Sequence, residues 1–268
     1  MKKKIVIISL ILILYQILYP IVGNALTEKQ SEYKKTSSSF FSDDITYEWE
    51  YFPDKDVMPY GVLTPSNASK MEKVPMILWL HGNNTITENQ LKEYGIVSQI
   101  MKWSNTKTLQ PFCAYVLCPH IPQKDADGYW RGAGTAKNVE TILKNFIEEH
   151  NVDTNNIVIM GSSGGTFGVQ YYASSQGFPE YFSKAVILSG YYFYSGSIDI
   201  PTKAFAGYTP YGEDPRVAKY LYDFGTSFGN ENCHFVEGGH SDLSIFSHDD
   251  GFFMGLDKVK SECGIARQ

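Results

Sequence analysis

Arginine is almost missing from this 268-residue chain, in which Arg131, Arg216 and Arg267 are the only three. A chain without an arginine cluster lacks the forked donors that read phosphates and carboxylates, and its formal charge of −6 argues against nucleic acid as a partner. The four cysteines contain no C-x-x-C pair, which argues against a zinc site. Internal repeats are also missing. With 43% hydrophobic residues, the chain has enough apolar mass for one large core.

The first 25 residues have the order of a secretory signal. Lysines at positions 2–4 precede an apolar run over residues 5–22, and the small residues "GNA" follow. The pattern predicts cleavage after Ala25 and a secreted, extracellular protein, and cleavage would change the formal charge from −6 to −9. An uncleaved membrane anchor is the alternative, because the run is nearly long enough to span a bilayer. Any membrane contact is therefore expected only through this segment.

Export would expose the cysteines to oxidising conditions, in which disulfides form. Cys233 and Cys263 are the pair to test first. Buried free thiols are the alternative for all four.

Two different patterns follow the signal. Residues 26–44 are polar and serine-rich without a period, which predicts a flexible tether, and one domain is predicted over 45–268. That domain begins with alternating segments at 45–52 and 60–65, typical of an antiparallel start to a sheet. Short apolar runs then alternate with helix-length stretches, and these runs lie at 75–80, 113–119, 156–160, 184–190, 202–208 and 233–239. The pattern predicts an α/β fold with a mostly parallel central sheet and helices on both faces. The best-defined helix is predicted over 135–151, with Thr135 as its cap.

One short motif indicates chemistry. The apolar strand "NIVIM" runs into "GSSGG", in which Ser163 has glycines two residues before and two residues after it. This is the glycine frame of a serine on a sharp turn between a strand and a helix. Ser163 is therefore the predicted nucleophile, and Ser162 is its neighbour at the turn.

A serine hydroxyl needs a histidine to take its proton and a carboxylate to orient that histidine. His240 in "VEGGHSD" follows a late strand and is the predicted base. The acid is expected after the strand at 202–208, where "GEDPRV" offers Asp214 and Glu213. Asp214 is preferred because it precedes Pro215 at a predicted helix start, although an ordinary helix cap has the same pattern. Glu213 stays open, as do Asp199 and Asp242.

The tetrahedral intermediate of acyl transfer needs two N–H donors aimed at its negative oxygen. Gly164, directly after the nucleophile, supplies one. The other is expected from "HGNN" after the first apolar strand, with the amide of Asn83 preferred over that of Asn84. His81 belongs to this loop. His120, which follows another strand, is a candidate to line the cleft.

With "HGNN", "GSSGG", "GEDPRV" and "GGHSD" in this order, residues 45–262 resemble the α/β-hydrolase superfamily. "VPMILWLHG" and "VDTNNIVIMGSSGG" look most like its secreted putative-esterase group, which includes polyhydroxybutyrate depolymerase-like and feruloyl esterase-like proteins. The resemblance implies a carboxylic ester hydrolase with a triad of Ser163, His240 and Asp214. It also implies Asn83 and Gly164 as oxyanion donors, and neither a metal nor a cofactor.

The substrate is less constrained by the sequence. The connection over residues 191–200 is too short for a large lid domain, so an open cleft is expected. Such a cleft suits small esters or acyl groups carried by a polymer. Tyr191 and Trp130 are candidate substrate-binding walls of that cleft, although aromatic residues also serve as core packing.

Two further function classes stay open. A serine peptidase or acyltransferase can use the same fold and triad, and a non-catalytic binding protein can retain the fold. The presence of both Ser163 and His240 favours an enzyme.

Overall fold

The computed structural model describes residues 37–41, 46–53, 57–83, 87–93, 95–98, 100, 114–121, 129–190, 198–208 and 233–237. The chain divides into two units, residues 1–34 and 35–268, and all described residues belong to the second. The predicted signal peptide and its cleavage point lie outside the described residues. So does Cys263, and with it the proposed disulfide.

Nine strands account for the extended segments of the described chain. They are β1 Ser37–Phe41, β2 Thr46–Phe52, β3 Tyr60–Pro65, β4 Val74–Leu80, β5 Tyr115–Pro119, β6 Val152–Ser162, β7 Lys184–Leu188, β8 Thr202–Tyr208 and β9 Cys233–Glu237. Every apolar run that predicted a strand overlaps one of them. The largest difference is β6, which begins at Val152 rather than at the apolar run starting with Asn156.

The strands form one sheet in the order β1-β2-β3-β5-β4-β6-β7-β8-β9. The first three are antiparallel to their neighbours, including β3 beside β5. From β5 to β9 all neighbours are parallel. The predicted mostly parallel sheet with an antiparallel start is therefore confirmed.

Both faces of the central sheet are buried, which explains why its strands are continuous apolar runs rather than alternating ones. On one face the register aligns Val62, Leu117, Leu78, Ile159 and Ala185 in a single core cluster. The opposite face is equally covered and carries the buried side chains of Leu63, Val116, Ile77 and Val158.

Helices cover these two faces. On the first face lie α2 Ala133–Glu149 and α3 Gly165–Tyr172, which contribute Val139 and Val169 to the core cluster. On the other side, α1 Glu88–Glu93 precedes Gly95, whose backbone lies against the Trp79 indole of β4. No helix among the described residues is long and apolar enough to cross a membrane.

The start of α2 differs from the prediction. The helix begins at Ala133 with Gly132 as its N-cap residue, so the cap assigned to Thr135 is wrong. Thr135 is buried inside the first turn instead. Gly132 has an extended backbone and its carbonyl accepts the first helical hydrogen bond, from Ala136 N at 2.9 Å, which is what an N-cap residue does.

The edge of the sheet differs as well. Residues 37–41 were predicted to belong to the flexible tether, but they form β1 and pair with β2. The backbone N–H and C=O groups of a sheet edge can pair with any extended segment, and no apolar period in the added strand is required. The rest of the predicted tether lies outside the described residues.

Cys118, on β5, is the one cysteine whose side chain belongs to the described part of the chain. It is a buried free thiol, and its burial raises the pKa. For this cysteine the free-thiol alternative is confirmed.

Candidate active site

The site lies where the chain changes direction in the sheet. β4 and β6 are neighbours, but β4 is followed in the chain by β5 on one side, and β6 is followed by β7 on the other side. In a parallel sheet this divergence opens a crevice beyond the carboxyl ends of the two strands. The register pairs Leu80 with Gly161, so Gly82 and Ser163, each two residues further on, reach the same level of the crevice.

The turn that carries Ser163 has the shape that the glycine frame predicts. Ser163 follows β6 directly and precedes α3, and its φ is 50°, in the left-handed region that non-glycine residues rarely adopt. Hydrogen bonds hold this backbone on both sides: Ser163 N donates to Leu188 O at 2.9 Å, and Ser163 O accepts from Thr166 N and Oγ1 at 3.2 and 2.6 Å. The strained conformation is therefore fixed by its surroundings.

The two glycines of the frame are required by close backbone approaches. A Cβ built on Gly161 would lie 2.6 Å from Gly165 O, because the start of α3 passes directly over the strand. A Cβ built on Gly165 would overlap Leu80 O at the end of β4. Any side chain at either position would push α3 away from the sheet.

The loop after β4 lies against this turn. A Cβ built on Gly82 would lie 3.2 Å from Ser163 Cβ and 3.8 Å from its Oγ. One built on Gly164 would overlap Asn83 Oδ1 and lie 2.7 Å from Asn83 Cγ. The structure therefore brings together three of the predicted site residues, Ser163, Gly164 and Asn83.

His81 stabilises this loop from inside the protein. Its ring is 1% exposed, and Ile121 N donates to its Nε2 at 3.0 Å. Because Nε2 accepts, the proton of the neutral ring is on Nδ1, which donates to Gly82 O at 2.8 Å. Burial, with a smaller contribution from His120, lowers the His81 pKa to about 3. His81 is thus a neutral structural group with both ring nitrogens in use.

Two aromatic residues hold the same loop from the segment before α2. Trp130 Nε1 donates to His81 O at 2.9 Å, and the Tyr129 hydroxyl donates to Gly82 O at 3.1 Å. Trp130 has no exposed surface, and this burial does not support the prediction that it lines an open cleft. Tyr129 is half-buried and is the ring that lies nearer to the turn: a Cβ built on Gly164 would be 3.2 Å from Tyr129 Cε1.

Sequence reasoning missed Tyr129. The only available signal was its place in "DGYWRG" beside Trp130, and a tyrosine next to a tryptophan carries no motif. Its hydrogen bond to a residue 47 positions away in the chain becomes visible only when the segment before α2 packs over the loop after β4.

Backbone strain is concentrated at this site. In the described segments, the non-glycine residues with positive φ are Tyr129, Ser163 and Ser189, at 59°, 50° and 48°. Tyr129 contacts the loop after β4, and Ser189 follows Leu188, the acceptor of the Ser163 N–H. Strained residues of this kind cluster at functional sites.

Several predicted site residues lie outside the described residues. These are the base His240, the acid candidates Asp214 and Glu213, and Tyr191. His120 is described and fully buried: its Nδ1 pairs with the Tyr51 hydroxyl, and its ring is edge-on to that of His81 at 5.5 Å. His120 therefore packs against the His81 ring in the protein interior and does not line the cleft. Within the described ranges, no group of three or more His, Cys, Asp or Glu could hold a metal ion.

No protein-family model matches the chain, and no curated protein matches its sequence. Solved structures do match the fold. A thermostable esterase is similar with a TM-score of 0.54 at 18% identity, over 85% of this chain and 62% of that one. An S-formylglutathione hydrolase from Agrobacterium tumefaciens has a TM-score of 0.53 at 12% identity, over 85% and 98% of the two chains. A ferulic acid esterase has a TM-score of 0.50 at 16% identity, over 80% and 93%.

At such low identities the similarity establishes the fold alone. The mostly parallel sheet, with a serine on the turn between β6 and α3, is the α/β-hydrolase fold that the sequence motifs predicted. The narrower likeness to secreted polyhydroxybutyrate depolymerase-like proteins stays a prediction.

Proposed function

We propose that this protein is an exported serine esterase that hydrolyses carboxylic esters through an acyl-enzyme on Ser163. The observation that supports the proposal most is the backbone of Ser163, held at positive φ on a strand-to-helix turn beside Gly82 and Gly164. A strained serine conformation between packed backbone segments serves to present a nucleophile. The similar structures named as esterases agree with this reaction class.

In the proposed reaction, His240 takes the proton of Ser163 Oγ as the oxygen attacks the ester carbonyl carbon. The carbonyl oxygen becomes negative and accepts hydrogen bonds from the N–H groups of Asn83 and Gly164. His240 then gives the proton to the alkoxy oxygen, the carbon–oxygen bond breaks, and the alcohol leaves. Water, deprotonated by His240, then attacks the acyl carbon, the bond from that carbon to Ser163 Oγ breaks, the carboxylic acid leaves, and His240 returns the proton to Oγ. Asp214 keeps the imidazole in the required tautomer throughout.

The proposed substrates are small esters or acyl groups attached to a polymer. Tyr191 retains its predicted role on one side of the cleft. On the other side, we assign the wall to Tyr129, because Trp130 is fully buried.

The adjacent serine provides the matched control for the nucleophile. Ser162 ends β6 one residue earlier and is half-buried like Ser163. Ser163→Ala should lower kcat on p-nitrophenyl acetate by at least about a thousandfold, whereas Ser162→Ala should stay within about threefold of wild type. A fluorophosphonate probe should label the wild type and Ser162→Ala only. Equal turnover by the wild type and Ser163→Ala would refute the proposal.

The same preparation tests export. Active protein recovered outside the cells should lack the mass of residues 1–25. Full-length protein confined to the membrane fraction would instead favour the uncleaved anchor.

A further inference from the structure

We propose that Tyr129 is a positioning residue for the reaction: its hydroxyl holds the Gly82 carbonyl so that the N–H of Asn83 faces the developing oxyanion. The inference rests on the proposed esterase function and deepens it. It concerns a side chain outside the triad and the oxyanion donors themselves.

The direction of the hydrogen bond follows from the tautomer of His81. Tyr129 Oη lies 3.2 Å from His81 Nδ1, 3.1 Å from Gly82 O and 3.4 Å from His81 O. Because Ile121 N donates to Nε2, Nδ1 carries the proton and cannot accept. The single hydroxyl proton of Tyr129 must therefore point at a carbonyl, and Gly82 O is the nearer one.

The Gly82 carbonyl accepts a second hydrogen bond. Gly82 O also accepts from His81 Nδ1 at 2.8 Å, so two donors reach it from the protein interior. The neighbouring carbonyl, His81 O, accepts from Trp130 Nε1. Both peptide planes of the turn are thus held by side chains.

The peptide between Gly82 and Asn83 transmits this constraint. In a planar trans peptide the C=O and the following N–H point in opposite directions. Holding Gly82 O toward His81 and Tyr129 therefore directs the Asn83 N–H away from them. The Asn83 side chain lies against Gly164, so this residue already borders the other proposed donor.

Tyr129 is itself held firmly. Its φ is 59°, its ring packs edge-on against those of His81 and Trp130, and burial raises its pKa. A neutral hydroxyl is the form that can donate. A Cβ built on Gly164 would lie 3.2 Å from Tyr129 Cε1, so the side chain that donates to Gly82 O also borders the second proposed donor.

Tyr129→Phe removes the hydroxyl and keeps the ring. Deleting an oxyanion donor outright costs about a hundredfold to a thousandfold in kcat. In this variant the donor remains and Gly82 O keeps its bond from His81, so we expect a smaller loss of about tenfold in kcat, with KM within about twofold. An aryl boronic acid, which forms a tetrahedral adduct with the serine, should bind about tenfold more weakly. Tyr60→Phe, the same change at a half-buried tyrosine on β3, should leave both values unchanged.

The design separates the possible failures. Turnover of the wild type, Tyr129→Phe and Tyr60→Phe is expressed per site labelled by the fluorophosphonate probe, so a partly unfolded sample still gives a valid kcat, whereas Ser163→Ala is compared with the wild type per mole of protein. If the wild type and Ser163→Ala have equal turnover, the proposed function fails before Tyr129 is considered. If Ser163→Ala is inactive and Tyr129→Phe keeps the wild-type kcat and boronate affinity, the positioning role is overturned. A rise in KM at unchanged kcat would overturn it as well, because that result would mean ordinary substrate binding.

Discussion

The neutral state of His81 makes a prediction about stability in acid. In the folded protein its pKa falls from 6.5 to about 3, mainly through burial, whereas in the unfolded chain it has its ordinary value. Between these two values the unfolded state binds one more proton than the folded state, so stability decreases as the pH falls through this window. Above about pH 6.5 the slope fades, because the imidazole of the unfolded chain is then mostly neutral as well.

The size of the effect follows from the same shift. Each pH unit well inside the window costs about 1.4 kcal/mol of unfolding free energy. Because the unfolded imidazole is already half protonated at about pH 6.5, lowering the pH from about 6.5 to about 4.5 should cost about 2.3 kcal/mol through His81 alone. Other groups titrate over the same range and add their own slopes. A variant without this imidazole isolates the contribution of His81 to the pH dependence of the unfolding free energy.

His81→Gln provides that comparison. Urea denaturation of the wild type and the variant at several pH values gives two curves of unfolding free energy against pH. The variant should be less stable at neutral pH, because the hydrogen bonds to Gly82 and Ile121 are disturbed, but its loss between about pH 6.5 and 4.5 should be smaller by about 2 to 3 kcal/mol. His150→Gln, at an exposed histidine after α2, controls for the removal of a histidine as such. Parallel curves for the wild type and His81→Gln would show that the ring is not buried and neutral, and the reasoning would be refuted.

Two further predictions concern the turn and the triad. Gly165→Ala should destabilise the fold by about 3 kcal/mol or more in urea denaturation, because its Cβ would overlap the backbone at Leu80. The Cβ of Gly164→Ala would overlap side-chain atoms of Asn83 and lie 3.2 Å from Tyr129 Cε1, but it would meet no backbone, so this change should cost less, about 1 kcal/mol. Equal costs would contradict the packing described. For the acid, Asp214→Asn should lower kcat by about ten-thousandfold and Glu213→Gln by little, and the reverse result would assign the role to Glu213.

The sheet was largely predictable because its signal is local. Each strand of the parallel part is a short apolar run between polar segments, and burial on both faces requires just that composition. β1 gave no such signal, because its pairing depends on the free edge of β2 rather than on its own pattern. The start of α2 was misplaced for a similar reason: Thr135 has the chemistry of a cap, but the helix begins two residues earlier and buries it.

The sequence alone determined the α/β architecture, the glycine frame around Ser163 and the loop expected to face it, because a strained turn permits few residue types and leaves a readable pattern. Only the tertiary structure showed that Tyr129 and Trp130 donate hydrogen bonds to that loop and that His81 is a buried, neutral side chain that links it to Ile121. These roles depend on hydrogen bonds between segments up to 49 residues apart in the chain. Such contacts exist only after the segment before α2 has packed over the ends of β4 and β6, and no local pattern of residues encodes them.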